Sequence, residues 1–342
     1  MKNGKKNGKK IPATITAFAL IGGLVAGFII GYIVKKPTVV STTYSIRDKT
    51  DGYKFIQPLL AVDNSITTPS PAYMPLYNNI QDYIKNQSVL GDNTSVYFID
   101  YGGGGRVLIN EKDLYSPASL LKVVVMIAYF KKAETDPGIL DRPLVFQSDM
   151  QAALDSVQFG TPTTLKVGQS YSASDLIDSM IKDSDNGAMN VLIDNIGYSY
   201  LNTVYSALGL TGPTPDSSNY MISASDYSLF FRILYNATYL SPEMSEKALS
   251  ILSTSTFADG ITAPLPKGTV VSHKFGEHVY GAPSSDSAQA FELHDCGIVY
   301  VPNHPYFLCV MSHGSSLSSL EQRIQGISSL VYNAITKIPP KN

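Results

Sequence analysis

The sequence predicts an α/β protein of the α+β type, with an antiparallel sheet flanked by helices, an all-helical subdomain and one N-terminal transmembrane helix. Three observations predict this architecture. An uncharged segment occupies residues 11–34; strand-like runs at 95–109 and 268–311 enclose a helical block at about 117–240; and a last helical run covers about 318–338. We find no internal repeat that would indicate a solenoid or propeller.

The N-terminal segment has the pattern of a membrane anchor. Residues 1–10 carry five lysines, residues 11–34 carry no charge, and Lys35 and Lys36 follow. The apolar stretch is long enough to span a bilayer with some tilt, and the lysine excess before it predicts a cytoplasmic N-terminus and an extracytoplasmic remainder. A cleaved signal peptide is the alternative, but no Ala-x-Ala site follows. We therefore expect a retained, single-pass anchor in the cell membrane.

Glycines within this segment suggest a partner for the anchor. Gly23, Gly27 and Gly31 recur at four-residue spacing, which lets two membrane helices approach closely. Homodimerisation through the anchor is therefore an open alternative to a monomer.

Charge and composition divide the whole chain into four predicted parts. The predicted parts are a cytoplasmic tail at 1–10, the anchor at 11–34, a Ser/Thr/Pro-rich stalk at 35–72 and one domain at 73–342. Residues 1–36 hold seven lysines and no acid, which leaves 19 basic and 28 acidic residues in the remainder. This net charge of −9 argues against nucleic acid as a partner of the domain.

Periodicity and turn residues place the elements of the domain. Apolar residues every fourth position predict a helix at 74–84, and the glycines at 102–105 predict a hairpin turn between two strands. Ser172 or Ser174 can cap a helix that ends at the polar break 184–187, after which the helical pattern resumes. Later strands are predicted at 268–275, 289–293, 296–300 and 307–311.

Two cysteines flank the predicted hairpin of 297–301 and 306–310. Cys296 and Cys309 would point to the same face of the sheet, and an extracytoplasmic location permits a disulfide. Bridges between neighbouring antiparallel strands are often strained, however, so we expect two buried free thiols and keep the disulfide as the alternative.

A Ser-x-x-Lys pattern precedes the most apolar helix of the domain. Residues 117–122 read Pro-Ala-Ser-Leu-Leu-Lys, and 123–130 contain no Gly or Pro, which predicts a mostly buried helix beginning near Ser119. Residues three apart share a helical face, so the Lys122 ammonium should lie beside the Ser119 hydroxyl. Burial lowers the pKa of a lysine and lets it take the serine proton. Taken alone, the pattern more often marks a surface serine and a snorkelling lysine.

Three short patterns in order carry a family resemblance. They are Ser119-Leu120-Leu121-Lys122, then Ser184-Asp185-Asn186, then Lys274-Phe275-Gly276, placed at a helix start, in a loop between helices and on a strand before a hairpin. In this order and setting they resemble the penicillin-recognising serine enzymes, and most closely the class A β-lactamases, over roughly residues 75–338. The resemblance implies a β-lactamase-like fold and no cofactor.

The resemblance also implies roles for the matching residues. Ser119 would attack the carbonyl of a β-lactam or of a D-Ala-D-Ala amide in a peptidoglycan stem peptide, with Lys122 as the base or proton relay. Ser184 would pass a proton to the leaving nitrogen. The backbone N–H groups of Ser119 and Glu277 would hold the oxyanion. Asn186 would bind the substrate amide, Lys274 would bind the carboxylate, and Gly276 would leave room for substrate along the strand.

The chain departs from the class A pattern in two places. The loop that supplies a deacylating glutamate in that family corresponds to residues 209–220, which contain no glutamate, and Asp216 is their only acid. A turn-forming role suits this aspartate better than catalysis. Phe275 also stands where the family usually has a Thr or Ser that orients the substrate carboxylate. Acylation is therefore better supported than rapid deacylation.

Histidines near the third pattern raise the alternative of a metal enzyme. The candidates are His273, Glu277, His278, His294, His304 and His313. No two-histidine helix motif occurs among them, and the first three lie on a strand and its end, where i and i+4 do not form a ligand pair as they do on a helix, so we predict no metal site. His294 lies where class A enzymes often carry a basic substrate contact, which makes it a weaker substrate-binding candidate.

The sequence therefore predicts a membrane-anchored, extracytoplasmic serine hydrolase that acts on C–N amide bonds through a Ser119 acyl-enzyme. The alternative is a catalytically weakened module that binds cell-wall peptide or senses penicillin through the same cleft. The sequence leaves open whether the enzyme is a β-lactamase or a D,D-peptidase, and which group would act as the deacylating base.

Overall fold

The computed structural model describes residues 45–47, 52–62, 71–87, 91–155, 163–215, 219–280 and 289–338. The predicted anchor at 11–34, with its three glycines, and Asp216 of the predicted deacylation loop lie outside these residues. Within the described ranges, every helix is too short or too polar to reach across a lipid bilayer.

Five antiparallel strands form the main sheet, in the order β4-β3-β11-β10-β9. Its strands come from both ends of the domain, so the sheet is complete only when the C-terminal strand β11 pairs with β3. The strands are β1 Ser45–Arg47, β2 Leu59–Val62, β3 Asn93–Asp100, β4 Arg106–Ile109, β5 Leu114–Tyr115, β6 Pro143–Val145, β7 Ser170–Ser172, β8 Ile222–Ser223, β9 Val271–Tyr280, β10 Ala290–Val299 and β11 Tyr306–Gly314.

Helices cover both faces of this sheet. The first and the last helix of the domain pack against one face of the sheet, in a core that includes Ile80 and Ile324. The helical block packs against the opposite face and forms a second core. The helices are α1 Met74–Gln87, α2 Leu121–Ala133, α3 Ser148–Asp155, α4 Ala173–Lys182, α5 Asn186–Ile196, α6 Tyr198–Ala207, α7 Ala224–Tyr235, α8 Pro242–Leu252 and α9 Leu317–Ile335. The predicted α+β arrangement is confirmed.

Helix α2 is the centre of the helical block. Every residue from Val123 to Phe130 is at most 1% exposed, as expected for a helix that is apolar on all sides. The α-helix begins at Leu121, and Ser119 lies in a 3-10 turn, Ala118–Leu120, that leads into it. The predicted start near Ser119 is therefore shifted by one short turn, a common way for a helix to begin.

Two details of the strands differ from the prediction. Residues 289–293 and 296–300 were expected to be separate strands, but they form the single strand β10. The polar pair between them, His294 and Asp295, is buried with partners of its own and does not break the ladder. Strand β9 also continues past Phe275 to Tyr280, because its second half pairs with β10.

The cysteines are joined, so the expectation of two free thiols was wrong. Cys296 on β10 lies directly opposite Cys309 on β11, with their Cα atoms 3.9 Å apart, and their sulfur atoms form a disulfide. Both residues are fully buried. Because the two residues are directly opposite each other on neighbouring strands, their side chains point to the same face of the sheet and the sulfur atoms meet.

Part of the segment predicted as a stalk contacts the domain. Phe55 and Ile56 are buried in the larger core, and the backbone N–H groups of Lys54, Phe55 and Ile56 donate to the Glu246 carboxylate at 2.7, 2.8 and 3.1 Å. The boundary between stalk and domain at residue 72 stays a prediction.

Candidate active site

The turn before α2 presents Ser119 beside the edge strand β9. Pro117 has helical angles, whereas Ala118 has a φ of 45°, in the left-handed region that non-glycine residues rarely adopt. The Leu120 N–H donates to the Pro117 carbonyl, and the Tyr227 hydroxyl donates to the Leu120 carbonyl. Contacts on both sides of Ser119 therefore hold the strained turn, as at many functional sites.

Lys122 lies directly behind the serine and is fully buried. Its Nζ is 3.0 Å from the Ser119 Oγ, 3.0 Å from the Ser184 Oγ, 2.5 Å from the Ser184 carbonyl oxygen and 2.7 Å from the Asn186 Oδ1. A lysine has at most three N–H donors for these four oxygens. The two carbonyl oxygens can only accept, so a neutral amine would donate to them and accept a proton from one of the hydroxyls.

The protonation state of Lys122 follows from its surroundings. Burial lowers the pKa of Lys122 to about 7, and the Asp185 carboxylate partly opposes this shift. Near neutral pH the amine is therefore substantially unprotonated, as a general base must be.

The second pattern forms a tight turn between α4 and α5. Ser184 has a φ of 58° and is 2% exposed, and Asn186 is the first residue of α5. This turn brings both residues within hydrogen-bonding distance of Lys122. The break between the helices covers residues 183–185, shorter than the predicted 184–187, because Asn186 and Gly187 already belong to α5.

Asp185 fixes this turn, a role that the sequence analysis did not assign. Its carboxylate accepts from the Ala188 N–H at the start of α5 and from the Thr163 hydroxyl and Thr164 N–H of a neighbouring loop, each at 3.1 Å. An aspartate just before a helix is a common N-cap, so the sequence contained this signal.

Lys274 approaches the site from β9. Its side chain is fully buried, and no described residue accepts a hydrogen bond from its Nζ. Burial and the nearby Lys122 lower its pKa well below the usual value, while Asp295 acts in the opposite direction. The Nζ lies 4.3 Å from the ring centroid of Phe275.

Gly276 and Glu277 follow on the same strand. A Cβ on Gly276 would lie 2.9 Å from the Pro117 carbonyl oxygen, so only glycine lets β9 pack this closely against the turn that carries Ser119. The Glu277 side chain is exposed. The use of the Ser119 and Glu277 N–H groups as oxyanion donors stays a prediction.

His294 lies on β10, close to the loop that leads to Ser119. Its side chain is fully buried. The Nδ1 accepts from the Ser312 N–H at 3.3 Å, which leaves the Nε2 to donate to the Ser116 carbonyl at 2.9 Å. Both ring nitrogens are therefore engaged, and His294 supports the loop before Ser119; its role as a substrate contact stays a prediction.

The remaining histidines do not assemble a metal site in the part of the chain that the structure describes. No group of three His, Cys, Asp or Glu side chains there is arranged to hold an ion. His273 instead pairs with the buried Asp295, with its Nδ1 2.8 Å from the carboxylate.

An apolar cleft of about 300 Å³ opens beside the turn that carries Ser119 and is lined in part by the loop that follows α6. No carboxylate occurs among its described lining residues, which are mostly apolar or aromatic: Ser116, Pro117, Ala118, Leu121, Val125, Met189, Ile193, Tyr198, Leu201, Pro213, Thr214, Pro215 and Tyr220. The described part of this wall therefore offers no acid to activate a water molecule.

Comparisons with known proteins agree with this geometry. The sequence profile described as "Beta-lactamase enzyme family" matches residues 75–335, which confirms the resemblance seen in the three patterns.

Solved structures with the same fold include a penicillin G acyl-enzyme complex of a PBP-A mutant, at 23% identity and a TM-score of 0.66, covering 80% of this chain and 100% of that one. A β-lactamase from Sphaerobacter thermophilus DSM 20745 is 21% identical, with a TM-score of 0.64 and coverage of 78% and 99%. The TLA-3 extended-spectrum β-lactamase is also 21% identical, with a TM-score of 0.67 and coverage of 77% and 99%. At these identities the likeness is one of fold.

Proposed function

Because the chain belongs to the beta-lactamase enzyme family, we propose that it is a serine hydrolase that forms an acyl-enzyme at Ser119 with β-lactams or with D-Ala-D-Ala-type cell-wall amides. The observation that carries this proposal is the 3.0 Å contact between the Ser119 Oγ and the buried amine of Lys122. A serine hydroxyl needs such a base to become a good nucleophile.

Acylation begins with a proton transfer. The neutral Lys122 amine takes the proton of the Ser119 hydroxyl as the Oγ bonds to the substrate carbonyl carbon. The carbonyl oxygen becomes an oxyanion, which the backbone N–H groups of Ser119 and Glu277 would hold. The C–N bond then breaks as the leaving nitrogen receives a proton from Lys122 through the Ser184 hydroxyl, which lies 3.0 Å from the amine. The product is an ester of Ser119.

Substrate would be held by the other matching residues. Asn186 offers its side-chain amide, and Gly276 leaves space along the strand edge. Lys274 would bind the substrate carboxylate, whose negative charge favours the protonated form of this lysine against the effect of burial. The buried Lys274 Nζ, which has no hydrogen-bond partner among the described residues, supports the binding of an anion there.

Deacylation would be slow. Hydrolysis of the ester requires a water molecule that a nearby base activates. The described lining of the cleft beside Ser119 includes no carboxylate, which supports a long-lived acyl-enzyme.

We also propose that the domain is held outside the cell membrane by the uncleaved anchor at 11–34, with the N-terminus in the cytoplasm. The disulfide between Cys296 and Cys309 supports an oxidising compartment. Dimerisation through the glycines of the anchor belongs to the same proposal.

A catalytically weakened module that binds cell-wall peptide or senses penicillin is the second candidate. The cleft without a described carboxylate and the covered Lys274 favour it.

The Ser119→Ala variant separates the two functions. Full-length protein in membranes is incubated with a fluorescent penicillin, and covalent labelling and reversible binding are measured. The enzyme requires that labelling be lost in Ser119→Ala and reduced at least tenfold in Lys122→Ala. Equal labelling of Lys122→Ala and the parent would refute the role of the lysine, whereas reversible binding without labelling of the parent would favour the module.

A further inference from the structure

The side-chain nitrogen of Lys274 lies against an aromatic ring, which stabilises its cationic form although burial lowers its pKa. Its Nζ has no hydrogen-bond partner among the described residues and lies 4.3 Å from the ring centroid of Phe275. A buried cation normally has an anionic or polar partner, because losing its hydration is costly. Here the π face of Phe275 lies close to the nitrogen, and the Asp295 carboxylate favours the cation without accepting a hydrogen bond from it.

A second ring holds Phe275 in this position. The rings of Phe257 and Phe275 stack with centroids 4.1 Å apart and an angle of 14° between their planes. Because Phe257 occupies one face of the Phe275 ring, the Lys274 Nζ must lie over the other face. Both phenylalanines are partly exposed, so the Phe275 ring can turn outward without opening the core.

Building on the proposed function, we propose that Phe275 is a specificity-determining residue that closes the carboxylate subsite in the free protein. A substrate carboxylate reaches the Lys274 ammonium only after the Phe275 ring has moved away from it. This movement gives up both the aromatic stack and the cation–π contact, so the site discriminates against acyl donors that carry a carboxylate and not against neutral donors.

The size of the effect follows from these two contacts. Losing an aromatic stack and a largely desolvated cation–π contact together corresponds to a factor of about ten to a hundred in affinity. A smaller hydroxyl-bearing side chain at position 275 would remove this obstacle and could also donate to the carboxylate.

The test measures binding without chemistry. Full-length protein carrying Ser119→Ala is titrated by calorimetry in detergent with penicillin G and with its neutral methyl ester. Adding Phe275→Thr should lower the Kd for penicillin G about tenfold or more and change the Kd for the ester less than twofold. Adding Lys274→Met as well should abolish the gain.

Two further variants test the proposal even if Phe275→Thr does not fold correctly. Phe275→Leu keeps an apolar side chain without the ring, and Phe257→Leu removes only the stacking partner. Both should shift the preference in the same direction, by a smaller factor. An unchanged ratio of the two Kd values, a gain that survives Lys274→Met, or no measurable binding of penicillin G by any variant would overturn the proposal.

These outcomes are separate from the failure of the proposed function. The calorimetric variants lack the nucleophile, so they report on the carboxylate subsite alone. A parent protein that is never acylated at Ser119, but whose Ser119→Ala form responds to Phe275→Thr as described, would refute the enzyme and leave the role of Phe275 intact.

Discussion

At the scale of single residues, the proposed acylation depends most on Lys122 as the base. Burial lowers its pKa to about 7, so the neutral base is a minor form below that pH and the major form above it. We expect the acylation rate at saturating penicillin to rise about tenfold between pH 6 and 8 and then level off. Stopped-flow acylation at a series of pH values measures this. A flat profile would show that Lys122 is not the base.

Lys122→Arg is the matched control for the pH profile. An arginine keeps a positive charge of similar reach but stays protonated throughout this range. We expect it to show no rise in acylation rate near pH 7.

Gly276 sets the distance between β9 and the turn that carries Ser119. In Gly276→Ala the new methyl group would meet the Pro117 carbonyl oxygen at 2.9 Å and the Leu120 side chain at 3.2 Å. We expect a loss of about 1–3 kcal/mol in the free energy of unfolding and slower acylation. Gly138→Ala, whose new Cβ would meet nothing closer than 3.8 Å, is the control and should change neither. Full activity in Gly276→Ala would contradict the tight packing.

At the scale of elements, the disulfide joins β10 and β11, two of the three strands that the C-terminal part of the chain contributes to the main sheet. Its cysteines are 13 residues apart in sequence, so it closes a short loop of the unfolded chain. Replacing both by alanine should lower the free energy of unfolding by about 2–4 kcal/mol, measured by denaturant titration. Reductant should then destabilise the parent and leave the double variant unchanged. Equal stability of both proteins without reductant would refute the contribution of the bridge.

Local patterns predicted most elements, and contacts between distant residues explain the exceptions. The helix at 74–84 follows from apolar residues at every fourth position, and the strand at 106–109 follows from the glycine turn that precedes it. The polar residues His294 and Asp295 suggested a break, because the sequence does not reveal that Ser116 and His273 would satisfy them in the fold.

In the candidate site, too, local sequence patterns predicted some contacts, whereas others join residues that are distant in the sequence. Spacing within one helical turn predicted that Lys122 would meet Ser119, and the N-cap pattern could have identified Asp185. The cover over Lys274 depends on Phe257, 18 residues before Phe275 in the chain, and no local pattern connects them.

At the scale of the whole molecule, Glu246 fastens the N-terminal segment to the domain. Its carboxylate accepts from the N–H groups of Lys54, Phe55 and Ile56. Glu246→Ala should free this segment and speed tryptic cleavage after Lys54 about tenfold, which mass spectrometry of the fragments measures. Glu243→Ala, which removes a single hydrogen bond from Tyr53, is the control and should have a smaller effect. Unchanged cleavage in Glu246→Ala would show that the segment is held by other contacts.

The most direct test of the account is a time course of intact-protein mass after mixing the full-length chain with penicillin G. We predict a mass increase equal to one penicillin, located at Ser119 by peptide mapping, absent from Ser119→Ala and persisting for minutes or longer, since the described cleft wall lacks a carboxylate. Unmodified protein together with intact penicillin, or an equal adduct on Ser119→Ala, would contradict the assignment of Ser119 as the nucleophile.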